Sequence, residues 1–374
     1  MSPHKSRRPV LAVFEPPGYG GASTITYRLH RDFVERGYDS SLIILVEESH
    51  RDFYRLSLGE SYANPDGLPG VFELTRHPRA PLTELLDRLD PDFLVGVGWI
   101  GALALKQAAP KRLCLLFSVG LAQAEPWLGG FADRQALSLT RQLEALAGLR
   151  LPTFGGEPRA LQLCDYLLAP SPMVRDFYRR LFPGCAGKLD PEPLWVAPLC
   201  LSESQTHQEL RRPFEERDVD VLFSASNWGR WEKGFDLMMD LLAQIPDCRA
   251  HVAGVVPPRQ RAALGDRAVC HGLLSRREHY QLVGRSRCVA ATSCFDAAPG
   301  LLFEAVQMGC NPVASRNCGN WQICPDGLVA ASFDSEAFAG CIRRALPEPL
   351  AAPDRDFYRR DPVVELLEIG DALL

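Results

Sequence analysis

CVAATSCFDAAPGLLFEAVQMGCNPVAS, residues 288–315, reads as a buried strand (288–291), a loop, a helix (300–308) and a second buried strand (312–315). Two short apolar strands joined through a helix form the unit from which parallel sheets are built. The pattern extends outward in both directions. Upstream in the same half lie a strand at 219–224, a helix at 234–244, strands at 249–253 and 268–270, and a helix at 275–284. The first half has strands at 10–14, 41–46, 93–97, 113–117 and 166–169, a helix at 23–36, and a helix that Ser171 caps and that runs through Phe182.

The expected fold class is therefore α/β, with two Rossmann-like doubly wound domains in series. The 374 residues suit two domains of ordinary size. Between Pro183 and Pro213 the alternation fails; one apolar run, 194–201, reads as the last strand of the first half, and the polar 202–212 as a linker. The boundaries expected are 1–202, 203–349 and a tail of 350–374, whose helix (about 354–373) packs back across the first domain. Arg-Asp-Phe-Tyr-Arg begins at Arg51, Arg175 and Arg355 without a shared period, so it marks similar helix turns and not a repeat architecture.

Composition narrows the function. With 46% hydrophobic and 23% charged residues the chain can bury two cores and is too apolar for disorder. Its net charge of -5 disfavours a globally basic nucleic-acid binder. The 12 cysteines form no C-x-x-C pair and no Cys/His run at zinc spacing, which points to free thiols in a reducing, cytoplasmic setting. No apolar run is long enough for a signal segment or a membrane span. Asp-x-Asp occurs at Asp90/Asp92, Asp218/Asp220 and Asp354/Asp356, but the first is a pre-strand turn, the second starts a strand and the third lies in the tail, so no metal site is expected. Arg175, Arg179 and Arg180 alternate with Phe177, Tyr178 and Phe182 in a basic amphipathic helix. A solvated face is its first reading and a weak peripheral membrane contact its second.

Three segments can carry chemistry. Pro16-Pro17-Gly18-Tyr19-Gly20-Gly21 sits between the first strand and the first helix, where backbone N–H groups can hold a phosphate. A tight turn and an anion-facing loop both fit it; a dinucleotide fingerprint would need glycine where Ser23 stands. In the second half, Arg230 and Lys233 lie three residues apart in the loop before a helix, so both can face one anion. Downstream, Asp296 and Glu304 flank Pro299-Gly300-Leu301, where a helix begins. Free N–H groups there suit a diphosphate, and a carboxylate one turn into the helix can accept two ribose hydroxyls. Ordinary helix capping is the bland alternative.

The stretch 296–320 resembles the nucleotide-sugar signature of glycosyltransferase family 4, retaining enzymes of the GT-B fold. Glu304-Ala305, Gly309, Pro312-Val313-Ala314-Ser315 and Gly319 match it, with Asp296 in place of the first Glu. The Arg230…Lys233-Gly234 loop is similar to the family's phosphate loop, with the Arg closer to the Lys than is usual. His271-Gly272-Leu273-Leu274-Ser275 is similar to the segment whose backbone meets the base, and Gly20-Gly21 to the Gly-Gly of the acceptor domain. The resemblance is specific over 219–322 and architectural before that. It departs at Phe117-Ser118-Val119-Gly120, where members carry a histidine that contacts the transferred sugar.

The resemblance implies a metal-independent, retaining glycosyltransferase without a cofactor, whose donor is a nucleotide-diphosphate sugar, UDP before GDP. Arg230, Lys233, Asp296 and Glu304 form its catalytic set, and Gly20, Gly21, Gly272, Leu273, Pro299, Gly300, Leu301 and Glu304 its donor-binding set. The acceptor would be a glycan, a lipid-linked acceptor or a small molecule. A noncatalytic GT-B module that binds a sugar nucleotide or a partner, and an NAD-dependent oxidoreductase, remain as alternatives.

Overall fold

The structure is a computed structural model that describes residues 7–18, 21–75, 79–118, 156–194, 208–351, 353 and 360–374. These fall into two compact units: the described residues of 1–122, 152–201 and 356–374 form one, and those of 202–355 the other.

The first unit is a parallel sheet of β1 (Pro9–Phe14), β2 (Ser41–Val46), β3 (Val71–Thr75), β4 (Phe93–Val97), β5 (Cys114–Phe117) and β6 (Tyr166–Leu168), in the order β3-β2-β1-β4-β5-β6. Helices α1 (Gly21–Glu35), α2 (Arg51–Leu58), α3 (Arg79–Leu89), α4 (Gly98–Ala108) and α5 (Gly156–Leu163) connect the strands, and α6 (Pro172–Leu181) follows β6. The central strands are unbroken apolar runs because helices cover both faces; every residue of β2 and of β4 is buried. Edge strand β3, with Glu73 at its centre, is only half-buried, and its signal in the sequence is correspondingly weak.

The second unit has the same winding: β7 (Val219–Asn227), β8 (Ala250–Val255), β9 (Val269–Gly272), β10 (Ser286–Ala291), β11 (Asn311–Ser315) and β12 (Val329–Ala330), in the order β12-β11-β10-β7-β8-β9. Its helices are α7 (Phe235–Gln244), α8 (Pro258–Leu264), α9 (Arg276–Gly284), α10 (Gly300–Gln307) and α11 (Ser335–Ala345). All pairings in both sheets are parallel. In each sheet the strand order reverses beside the first strand, between β1 and β4 and between β7 and β10. The carboxyl ends of those strand pairs are where open α/β sheets bind ligands.

The C-terminal helix α12 (Pro362–Leu373) packs into the first unit, as expected for the tail. Val363, Leu366 and Leu367 are buried with Leu11, Phe33 and Phe93. Asp361 caps it by accepting hydrogen bonds from Val363 N and Val364 N, and Arg36 Nη1 reaches the same carboxylate at 2.5 Å. The helix thus starts at the Asp-Pro pair and not near 354; residues 354–359 lie outside the described residues. Of the run 194–201 only Leu194 is described, and its N–H donates to Ala169 O at 2.9 Å.

Ser171 caps α6 by accepting from Val174 N. Phe177 and Tyr178 turn into the core while Arg179 and Arg180 stay exposed, so this helix presents a polar face. The cysteines among the described residues are free thiols. No helix among the described residues is long and apolar enough to cross a membrane.

Candidate functional site

At the end of β7 the chain enters the loop that carries Arg230 and Lys233. Trp228 is buried and its indole N–H donates to Ala253 O at 2.9 Å, which pins the loop to β8. A 3-10 turn, Trp231–Lys233, follows. Gly234 then turns into α7 in the left-handed region at φ +68°, and a Cβ there would lie 2.0 Å from Thr292 O. Only glycine fits both the dihedral and the approach.

The loop is thereby stitched to the end of β10. Thr292 Oγ1 donates to Lys233 O at 3.0 Å and Cys294 N donates to Glu232 O at 2.7 Å. These bonds deliver Lys233 Nζ to 2.7 Å from Asp296 Oδ2, with both side chains about four-fifths covered. Asp296 is itself held on both sides: its N–H donates to Asn317 O at 3.0 Å, its carbonyl accepts from Gly319 N at 2.8 Å, and Oδ1 accepts from Ala298 N at 3.3 Å. Residues 63 positions apart thus form an ion pair at the switch point of the second sheet.

Arg230 follows a different course. Its half-exposed guanidinium pairs with the buried carboxylate of Glu232. Arg230 and Lys233 lie on the same short loop, and each side chain has its own acidic partner, Glu232 and Asp296 respectively.

Glu304 lies one turn inside α10 and is nearly covered. Pro299 is the N-cap residue, without a side-chain cap, and Gly300 opens the helix with empty space where a Cβ would be. Asn320 Nδ2 donates to Pro299 O at 2.9 Å and fixes the entry to the helix. The helix start therefore presents backbone N–H groups and the positive end of its dipole on the loop that also carries Asp296. Gly272 ends β9 at φ +70°, Leu273 is exposed, and Ser275 starts α9 with a capping box to Glu278. Gly21 opens α1 in the first unit, and Gly20 lies outside the described residues.

Two further side chains reach the site without any motif to announce them. His279, on α9, has Nδ1 at 3.6 Å from Glu304 Oε2 and Nε2 at 3.0 Å from Ser224 Oγ within β7. A single histidine on an amphipathic helix carries no sequence signal; only the winding of the sheet brings it there.

No protein-family model matches this chain, and no curated protein sequence matches it. Solved structures do. HepE of Anabaena, in complex with UDP and glucose, superimposes with a TM-score of 0.63 at 14% identity, over 98% of this chain and 99% of that one. The sucrose-phosphate synthase of Thermosynechococcus elongatus gives 0.63 at 16% identity, over 98% and 94%. The lipopolysaccharide outer core galactosyltransferase WaaB gives 0.58 at 13% identity, over 98% and 99%. The chain has the GT-B fold.

Within this GT-B chain, arginines engage the two Asp-x-Asp pairs that lie among the described residues. Asp90 accepts from Arg112 and Arg8, and Asp92 lies against Arg7 and Arg8. Arg285 donates to Asp218 and holds that carboxyl down at about 2, while Asp220 accepts from Arg249 at 2.9 Å. Asp354 and Asp356 are outside the described residues. At the departure from the family pattern, Ser118 is buried with its Oγ 2.7 Å from Tyr178 OH, which also lies 3.1 Å from Glu157 Oε1; Val119 and Gly120 are not described.

Proposed function

We propose that this protein transfers a sugar from a nucleoside-diphosphate sugar, UDP before GDP, to a glycan, lipid-linked or small-molecule acceptor, with retention of configuration and without a metal ion. The observation that carries the reading is the Lys233–Asp296 pair beside the uncapped start of α10, at the switch point of the second sheet. HepE, similar in fold, was solved with UDP-glucose, which supports this class of donor.

In this reading the diphosphate lies along the N-terminus of α10. The backbone N–H groups at Gly300 and Leu301 meet its oxygens, Lys233 supplies a full positive charge, and Arg230 approaches from the same loop. Glu304 accepts the ribose hydroxyls, and the backbone at Gly272 and Leu273 borders the base. As the bond from the anomeric carbon to the diphosphate breaks, negative charge collects on the phosphate oxygens, where these groups are already in place. The acceptor oxygen attacks from the side the diphosphate leaves, and its proton passes to the departing phosphate. Asp296 holds Lys233 at its station and borders the space beyond the phosphates.

Calorimetric titration with UDP, GDP and NAD tests the donor class: UDP binds, and NAD does not. Glu304→Ala weakens UDP binding by about 1–3 kcal/mol, because two charge-assisted hydrogen bonds are lost. Unchanged UDP affinity in that variant would remove Glu304 from the site.

A further inference from the structure

The side chains of Ser224, His279 and Glu304 come from three different elements, β7, α9 and α10, and lie next to one another in that order. His279 Nε2 is 3.0 Å from Ser224 Oγ, and Nδ1 is 3.6 Å from Glu304 Oε2. The histidine is four-fifths covered and the carboxylate more so. A ring protonated on Nδ1 turns that N–H towards the carboxylate and accepts from the serine hydroxyl; a doubly protonated ring donates on both sides. The serine, at hydrogen-bond distance, fixes the ring, and the ring edge 3.6 Å from the carboxylate, beyond hydrogen-bond length, bounds the space in which that carboxylate can turn.

From this geometry we infer that His279 is a positioning residue for Glu304, and that the Ser224–His279 pair sets the orientation in which Glu304 receives the ribose hydroxyls of the nucleotide. The inference rests on the donor reading above and deepens it. A Glu side chain has three rotatable bonds, so a nearly covered carboxylate serves as a bidentate acceptor only when its rotamer is restricted. Other residues at position 279 would cover the same helix face without restricting it. The consequence is selectivity for ribose over 2′-deoxyribose, exerted through Glu304 by a residue that need not touch the nucleotide.

The test compares UDP with 2′-deoxy-UDP on the full chain by calorimetry. The wild-type protein should prefer UDP by about tenfold, the value of one charge-assisted hydrogen bond. His279→Leu should bring that preference to within about twofold, weakening UDP more than 2′-deoxy-UDP, while the melting temperature stays near wild type. Ser224→Ala should reduce the preference part of the way. In a Glu304→Ala background, His279→Leu should have no further effect, because its action runs through the carboxylate.

A His279→Leu variant that keeps the full preference, or that loses both nucleotides equally, overturns the inference. So does an additive effect in the Glu304→Ala background. If His279→Leu proves unstable, His279→Ala serves, with the same ratio as readout. A wild-type protein that binds neither UDP nor GDP overturns the donor reading itself, an outcome distinct from any failure at His279.

Discussion

Lys233→Ala lowers the turnover of donor by roughly 10²–10³ while the donor KM rises much less. The ammonium lies 2.7 Å from Asp296 in the loop between β10 and α10, and in the proposed reaction its attraction for the phosphate oxygens grows as the anomeric bond breaks. An interaction that strengthens between ground state and transition state appears in kcat. Arg230→Lys is harmful as well, since an ammonium cannot reproduce the guanidinium fork on two phosphate oxygens. Its effect should be the smaller of the two, because Arg230 is half-exposed and shared with Glu232. If the loop were only a solvated turn, rates would be near normal and stability changes within about 0.5 kcal/mol for both variants. Turnover and melting temperature measured together decide the matter: a normally folded, inactive Lys233→Ala supports the site, and an active one removes it.

Gly234→Ala destabilises the second unit by about 3 kcal/mol and removes activity with it. Two costs add: a left-handed backbone for a residue with a Cβ, and that Cβ placed 2.0 Å from Thr292 O. Relief requires the loop to part from the end of β10, which breaks the Thr292 Oγ1 bond to Lys233 O and displaces the ammonium. Gly340→Ala is the control. Gly340 lies inside α11 with nothing within 4 Å of a Cβ, so alanine there should be neutral or stabilising by up to about 1 kcal/mol. Chemical denaturation of both variants gives the comparison, and equal stability of the two would show that the Gly234 contact is not tight.

The winding of both units is legible in the sequence because their central strands are apolar runs bounded by turn residues. The strands at 41–46 and 93–97 fall where the pattern places them, and Ser171 caps its helix as its position before Pro172 indicates. Edge elements are harder. β3 is half-buried and β12 has two residues, so neither needs a continuous apolar sequence. β7 runs on to Asn227, past the polar Ser224-Ala225-Ser226, with a register shift that periodicity does not express.

The site is legible where motifs are local. Lys233, Asp296 and Glu304 stand out on their own loops and helix, and the sheet brings the first two together. Their partners are not legible. The pairing of Arg230 with Glu232 depends on side-chain rotamers within one turn, and the approach of His279 to Glu304 depends on how α9 and α10 lie beside β7. Both are properties of the folded unit and have no counterpart in residue spacing.

The most direct measurement is release of free nucleotide from a panel of UDP- and GDP-sugars by the full chain in excess EDTA. The account predicts slow release of UDP from at least one UDP-sugar, undiminished by the chelator and lost in Lys233→Ala. No release from any sugar nucleotide, or release that EDTA abolishes and manganese restores, would contradict it.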